Sequence, residues 1–402
     1  MNYDLIIVGG GAAGFFTAIN VAENNPKLKI AILERGKDVL SKVRVSGGGR
    51  CNVTHAEFIP NELSKNYPRG EKELKGPFNT FMTGDTMAWF DERGVSLKIE
   101  NDGRIFPVSD SSQTIIDCFL SEARKFGVEI LTNHSVKNFC FENENWSVKS
   151  NHGDFITEKL MIATGSNPKI WKLLQELNHE TIDPVPSLFT FNIKDSRIKD
   201  LPGVVTEARV KVKNSKLSSQ GPLLITHWGM SGPAVLKLSA WGAIELNSNQ
   251  YTFEIIVNWL NNLTLHEVIE EFKFFKANNP RQQVFKNTQF GIPKRLWQSL
   301  VLTSEIDRST RWADISKVQL HKLAEELTNG KFKVQGKSTF KEEFVTAGGI
   351  DLKEINFKTF ESKKHKNLYF AGEVLNIDAI TGGFNFQNAW TGAFIAAQAI
   401  TS

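Results

Sequence analysis

Between Tyr3 and Glu34 a short apolar run, a glycine cluster, a second apolar run and an acid follow one another, and few folds accept that order. Leu5–Val8 is apolar, largely β-branched and closed by glycine, which predicts a strand buried on both faces. Gly9-Gly10-Gly11-Ala12-Ala13-Gly14 comes next and supplies G-x-G-x-x-G at Gly9, Gly11 and Gly14. A helix rich in alanine and phenylalanine is predicted from about Ala12 to Glu23. A second strand over Ile30–Leu33 ends on Glu34, twenty residues beyond Gly14. In a βαβ dinucleotide site each of these residues has work to do. Gly9 permits the tight turn, Gly11 lacks the Cβ that would obstruct a diphosphate, and Gly14 lets helix and strand approach closely. Free N–H groups at the start of the helix, around Ala12 and Ala13, face the phosphates. Glu34 accepts hydrogen bonds from ribose hydroxyls. A glycine-rich structural turn would explain the glycines alone, but not the strand, helix and acidic end around them.

A chain of 402 residues ordinarily makes two or three domains. Its net charge of +4 is mild for that length, and it holds no dense Lys/Arg block. Charge therefore implies neither nucleic acid nor an anionic membrane as partner. No apolar run reaches membrane-spanning length, and the N-terminus enters the first strand without a signal-like core. Cys51, Cys118 and Cys140 are scattered and odd in number, which suggests neither a disulfide framework nor a metal site. The expectation is a cytoplasmic, soluble protein acting on a small molecule.

After Glu34 come Arg35, Lys42 and then Ser46-Gly47-Gly48-Gly49-Arg50-Cys51-Asn52. Three consecutive glycines suit a loop whose amides approach a ligand, with Arg44 and Arg50 available for phosphate or an anionic flavin. A flexible surface loop is the plain alternative. Cys51 reads as a redox thiol, a flavin tether or, more simply, a small packed residue. Phe78–Phe90 looks helical, Asn101–Pro107 reads as a turn into an extended piece, and Ser112 is placed as the cap of an amphipathic helix. Val128–Leu131 is a further parallel strand. Short strands at Val136–Phe141, Trp146–Lys149 and Phe155–Thr157 form a meander, and a separate strand from Leu160 ends in Ala163-Thr164-Gly165-Ser166.

A domain change is placed near Pro184–Ser187, followed by a β-rich stretch to about Val257. Within it, Gly229-Met230-Ser231 resembles part of a nucleophile elbow, but Pro233 stands where the closing glycine belongs. His227 beside it is a proton donor or substrate hook on one reading and a buried, satisfied histidine on the other. Capping boxes at Thr264/Glu267 and Ser316/Gln319 open amphipathic helices in a small helical subdomain of about residues 263–330. Trp297 and Trp312 are read as its core. Phe344–Ile350 returns to the parallel style. Leu368–Val374 is a buried strand carrying Ala371-Gly372-Glu373. Asp378 and Thr381-Gly382-Gly383-Phe384-Asn385 precede a last helix, whose small residues would pack close to the first βαβ unit.

Taken together, Gly9–Gly14, Ser46–Asn52, Gly103–Pro107, Thr226–Pro233, Phe344–Asp351 and Ala371–Gln387 resemble the bacterial flavoproteins known as BaiN-like (YhiN-like) or aminoacetone oxidase family proteins. The resemblance spans essentially the whole chain. It departs at His55, Ser166, Asn376 and Ala379, where relatives commonly carry Asn, Gly, Asp and Gly. It implies an α/β fold: a Rossmann-like FAD-binding domain of glutathione-reductase type, residues 1–188 and 346–402. Into this is inserted a β-barrel-like substrate domain of residues 189–345 carrying the helical subdomain. FAD, rather than NAD, is the implied cofactor.

In such an arrangement Gly9–Gly14 hold the diphosphate, Glu34 the adenosine ribose and the backbone of Val136 the adenine. Thr164 and Gly165 let the chain pass close to the dinucleotide, and Gly372, Glu373 and Asp378 lie along the ribityl chain and flavin edge. Amides at Gly383, Phe384 and Asn385 favour negative charge at flavin N1/O2. The implied activity is hydride exchange between flavin N5 and a small substrate with a C=C or C–N unit, held between the domains. Arg50, Cys51, Asn52 and His227 are the candidate catalytic residues. No second G-x-G-x-x-G follows a strand, so NAD(P)H is at most a transient donor. The alternatives are an RNA-associated flavoprotein of tRNA-modification type and a flavin-binding protein without turnover.

Overall fold

The apolar run that opens the chain lies in the middle of a sheet. In the computed structural model, which describes residues 1–338 and 345–402, the strand Asn2–Val8 pairs in parallel with Ile30–Leu33 and with Gly153–Ile162. Glu129–Leu131 adds beyond Ile30–Leu33, and Leu368–Phe370 adds beyond Gly153–Ile162, both in parallel. Leu5, Ile6, Ile7, Ile32, Leu160 and Met161 are completely buried, as a parallel sheet covered on both faces requires.

The meander differs from expectation in one respect. Phe155–Thr157 and Leu160–Ile162 belong to a single ten-residue strand, Gly153–Ile162. Its first half pairs antiparallel with Asn145–Ser150, and most of its length runs parallel to Asn2–Val8. Glu158 and Lys159, charged and left between the two predicted runs, sit within the strand.

Two helices, Ala12–Asn24 and Phe384–Thr401, pack against each other beside this sheet. Small residues set the approach. A Cβ at Gly372 would stand 3.5 Å from Ala13 and 3.8 Å from Ala389, and one at Gly392 would stand 2.8 Å from the Phe360 ring. Phe16, Trp89, Phe119 and Trp390 fill the space around the two helices, with Phe16–Trp89 ring centroids 4.5 Å apart and Phe119–Trp390 centroids 5.6 Å apart. The helix predicted to be capped by Ser112 is instead capped by Ser111, whose hydroxyl accepts the Gln113 N–H.

The chain divides into two units, Met1–Val185 with Lys341–Ser402 and Pro186–Phe340. Phe344, the first residue of the predicted Phe344–Asp351 block, lies outside the described residues; Val345–Ile350 is a strand. The second unit has its own core, built on a seven-stranded sheet and the helices Leu265–Asn278, Lys294–Thr303 and Lys317–Asn329. Both predicted capping boxes are formed, Thr264 with Glu267 and Ser316 with Gln319. Trp297 and Trp312 are fully buried core residues.

The sheet runs from Gly330–Gln335 at one end to Lys337–Ser338 at the other, and among the described residues its hydrogen bonding does not close into a barrel. The stretch read as β-rich also contains two helices, Pro233–Trp241 and Ala243–Ser248. Pro233 at the first helical position after Gly232 was the available signal. Among the described residues no helix is long and apolar enough to cross a membrane.

Candidate dinucleotide site

The glycine loop after the first strand is tight on two sides and open on the third. Gly9 has φ +113°, and a Cβ there would lie 2.5 Å from the Ala163 carbonyl oxygen and 2.9 Å from Thr164 Cα. A Cβ at Gly14 would fall on the carbonyl oxygen of Gly9. A Cβ at Gly11 would meet nothing within 4 Å. Gly11 is also the N-cap of the helix and offers no side-chain cap, so the first helical amides around Ala12 and Ala13 face an open volume. Glu34 borders the loop: its Oε2 accepts the Gly10 N–H at 2.9 Å and its Oε1 the Gly36 N–H at 2.8 Å. Two backbone bonds fix the carboxylate and leave acceptor capacity for ribose hydroxyls. Arg35 is exposed.

The Ser41–Gly49 segment starts as a helix and leaves helical geometry at Ser46, Gly47 and Gly48. Gly47, Gly48 and Gly49 take φ of +57°, +68° and +84°. A Cβ at Gly47 would press on the Phe106 ring and the Asn52 N–H, whereas Gly48 and Gly49 border open space. The Ser46 hydroxyl donates to the Val43 carbonyl, so its side chain closes the bend. Asn52 is buried, and its Oδ1 has no hydrogen-bond partner among the described residues. A buried amide oxygen without a donor beside a glycine loop calls for a group from outside the chain.

Arg50 and Cys51 do not have the surroundings their catalytic readings need. The Arg50 guanidinium donates to Glu100 at 2.6 Å and Asp110 at 3.3 Å and lies 3.8 Å over the Phe106 ring. Cys51 is fully buried, and burial pushes its thiol up to about 12 despite a bond with Ser46. It is a packed residue, not a thiolate.

Segments far apart in sequence meet at the strand ends. Lys42 forms an ion pair with Glu373, and a Cβ at Gly165 would stand 3.5 Å from the Glu373 carboxylate. The Thr164 hydroxyl points back to the Gly165 carbonyl at 3.4 Å, while Ser166 Oγ is buried without a partner. Gly383 caps the last helix with φ +95° and no side-chain cap, and a Cβ there would lie 2.5 Å from the Thr54 carbonyl oxygen. Asn385 folds back on Ala379, accepting its N–H at 3.0 Å, and the Phe384 carbonyl accepts the Tyr67 hydroxyl at 2.6 Å. Gln387 Oε1 accepts both the Thr54 and Thr86 hydroxyls. The amides that start this helix are thus held by buried polar joints.

The remaining predicted residues are placed as follows. Asp378 is completely buried and chelated by the Arg69 guanidinium, so its carboxylate is committed within the protein. Val136 begins a strand at a register shift between Val136 and Asn138. His227 is not buried: it is exposed in the turn between Ser218–Ile225 and Gly229–Ser231, in the second unit. Ser231 is in a sheet strand and its hydroxyl accepts from Thr190 Oγ1 at 2.9 Å, which rules out an elbow nucleophile there. Arg69, Tyr67 and Gln387 were missed, because pairings across some 300 residues leave no local signal.

Uncapped helix starts, glycines bordering open space, a fixed acid and an orphaned amide oxygen fit an anionic dinucleotide such as FAD. A family model described as the HI0933-like protein Rossmann domain matches residues 3–399. The chain is 29% identical over 410 residues to the ribosomal RNA dihydrouridine synthase of Haemophilus influenzae, covering 98% of each. It is 24% identical over 404 residues to the 3-dehydro-bile acid delta(4,6)-reductase of Clostridium scindens, again covering 98% of each. Its fold is similar to that of 3-ketosteroid delta1-dehydrogenase from Sterolibacterium denitrificans, with a TM-score of 0.53 and 12% identity over 100% of this chain and 99% of that one.

Proposed function

The chain belongs to the HI0933-like Rossmann-domain family, and from that membership we propose an FAD-dependent oxidoreductase that reduces a carbon–carbon double bond conjugated to a carbonyl. One observation carries the cofactor reading: the open volume at Gly11, at an uncapped helix start, between a carboxylate and a strand end. The relatives' names support the reaction class. Dihydrouridine is uridine saturated at C5–C6, a bond conjugated to the C4 carbonyl, and Δ4,6 bonds in a 3-dehydro steroid are conjugated to its 3-keto group. Each takes hydride at the electron-poor end of the conjugated system, β to the carbonyl in uridine or an enone and δ in a dienone, and a proton at a carbon nearer the carbonyl.

Bound FAD supplies the hydride at flavin N5. The chain's residues do the rest. Amides of Gly11–Gly14 hold the diphosphate, Glu34 holds the ribose, and the Val136 backbone takes the adenine. Gly372 and Glu373 line the ribityl chain, with Lys42 orienting Glu373. Amides at Gly383–Asn385 sit at the positive end of a helix and favour negative charge at the flavin pyrimidine edge. Asn52 offers its free Oδ1 to the cofactor or substrate.

Reduced nicotinamide, docking transiently, is the proposed electron source. Anaerobic stopped-flow mixing of the FAD-loaded protein with NADH and NADPH is expected to bleach the flavin band, and added enone or uridine is expected to restore it. Failure of both nicotinamides to bleach it removes them as donors. Bleached enzyme that no conjugated alkene reoxidises overturns the reaction class.

A further inference from the structure

We propose that the outer face of the second unit's sheet is a docking surface for the phosphodiester backbone of RNA. This takes the reducible base to be carried on RNA and so rests on the reaction class above. The face is generated by strand alternation. In Val205–Val212, Ala208, Val210 and Val212 enter the core while Arg209 and Lys211 are exposed. In Gly330–Gln335, Phe332 and Val334 enter the core while Lys331 and Lys333 are exposed. Thr252–Asn258 runs between them, and its register brings the cations together: Ile256 is opposite Lys211 on one side and Lys331 on the other. Cations two residues apart on a strand are about 7 Å apart, and those facing each other across the intervening strand about 10 Å.

The acids on this face do not balance the cations. Glu254, opposite Lys333, is engaged by Lys213 at 2.7 Å, and that bond, with the charges of Lys331 and Lys333, holds its carboxyl below the usual range. Glu207 is the other acid on the strand with Arg209 and Lys211. Arg209, Lys211, Lys331 and Lys333 have no ion-pair partner among the described residues. Like charges side by side on a sheet are destabilising, and a linear polyanion relieves the repulsion while releasing its counterions.

The flanking groups suit such a partner. Gln220 and Gln335 project beside the cations and can bond phosphate or sugar oxygens. Among the described residues the patch has no exposed aromatic side chain to stack on bases. It would therefore position RNA without reading its sequence. The basic character escapes the sequence because its members come from two strands far apart in the chain, each lysine alternating with a core residue.

The test uses full-length, FAD-loaded protein and a labelled ribosomal RNA fragment, with affinity measured across a salt series. The combined variant Arg209→Gln, Lys211→Gln, Lys331→Gln, Lys333→Gln is expected to bind RNA at least tenfold more weakly, with the log–log salt slope reduced by about 3. Its thermal midpoint and its flavin reduction by nicotinamide are expected to match the parent. A second variant with the same charge change elsewhere, Lys27→Gln, Lys65→Gln, Lys72→Gln, Lys75→Gln, is expected to keep parental RNA affinity. Equal weakening by both variants, or by neither, overturns the surface. Competition by polyglutamate as effective as that by RNA assigns the face to an acidic protein and also overturns it. Normal enone reduction without RNA binding defeats this inference alone, whereas a flavin that no alkene reoxidises defeats the reaction class.

Discussion

A methyl group added at Gly11 and one added at Gly14 have opposite consequences, although the two glycines belong to one motif. At Gly14 it meets the Gly9 carbonyl, a backbone atom that cannot step aside. Gly14→Ala is expected to destabilise the cofactor-free protein by about 1–3 kcal/mol, the cost of overpacking, read as a lower denaturation midpoint. At Gly11 the new side chain meets only open space. Gly11→Val is expected to leave the cofactor-free midpoint nearly unchanged and to abolish retention of FAD, read as loss of flavin absorbance after desalting. A Gly11→Val protein that retains flavin would remove the diphosphate from this loop. Cys51 gives a second contrast. With its thiol pushed up to about 12 inside a closed environment, it is expected to resist iodoacetamide at pH 8 in the native state and react on unfolding. Cys51→Ala is expected to keep flavin reduction at the parental rate; a large loss would return chemistry to the thiol.

At the scale of elements, what could be read in advance was whatever depends on neighbours in sequence. The first βαβ unit, both capping boxes and the last helix are written in local periodicity and end signals. The long strand Gly153–Ile162 was not, because its partner changes along its length and two charged residues interrupt its apolar pattern. The chelation of Asp378 by Arg69 and the burial of Cys51 follow from tertiary packing, which no window of sequence contains. Another such joint predicts a pH response. His179 is buried between Glu354, 2.5 Å from Nδ1, and the Ser362 hydroxyl, 3.2 Å from Nε2, with Lys364 also on Glu354. Burial lowers the imidazole from 6.5, and the Glu354 bond offsets only part of this. Burial raises Glu354, but Lys364, His179 and the Glu180 N–H bring it below 4.5. The neutral ring therefore donates to Glu354 and accepts from Ser362. Below pH 6.5 the unfolded chain takes up a proton that the folded one refuses, so stability is full above 6.5 and declines as pH falls. Glu354 adds to the decline below 4.5. The slope this histidine contributes is at most about 1.4 kcal/mol per pH unit. His179→Gln is expected to be less stable at pH 7 and to show a flatter profile between pH 5 and 7 in denaturant titrations. An unchanged slope would mean that the ring takes up its proton equally in the folded and unfolded chains.

At the scale of the whole molecule, each unit has its own sheet and its own core, and the features proposed to hold FAD belong to the first. The second has an electrostatic joint of its own. Arg197 pairs with Asp195 at 2.8 Å and Glu326 at 2.6 Å and stacks 3.9 Å over Phe332, tying a sheet strand to the helix Lys317–Asn329. Most of this side chain is out of water, so removing the cation would leave two carboxylates unbalanced. Arg197→Met is expected to cost the second unit about 3–5 kcal/mol. FAD at one hundred times its dissociation constant is expected to stabilise the first by about 2.7 kcal/mol, since it binds only the folded state. The two perturbations should therefore separate in a calorimeter. FAD raises one transition and leaves the other where it was, and Arg197→Met lowers that other one without releasing flavin. A single transition that shifts with both would mean that the units unfold together, and the stability of the inserted unit would then depend on cofactor binding in the first.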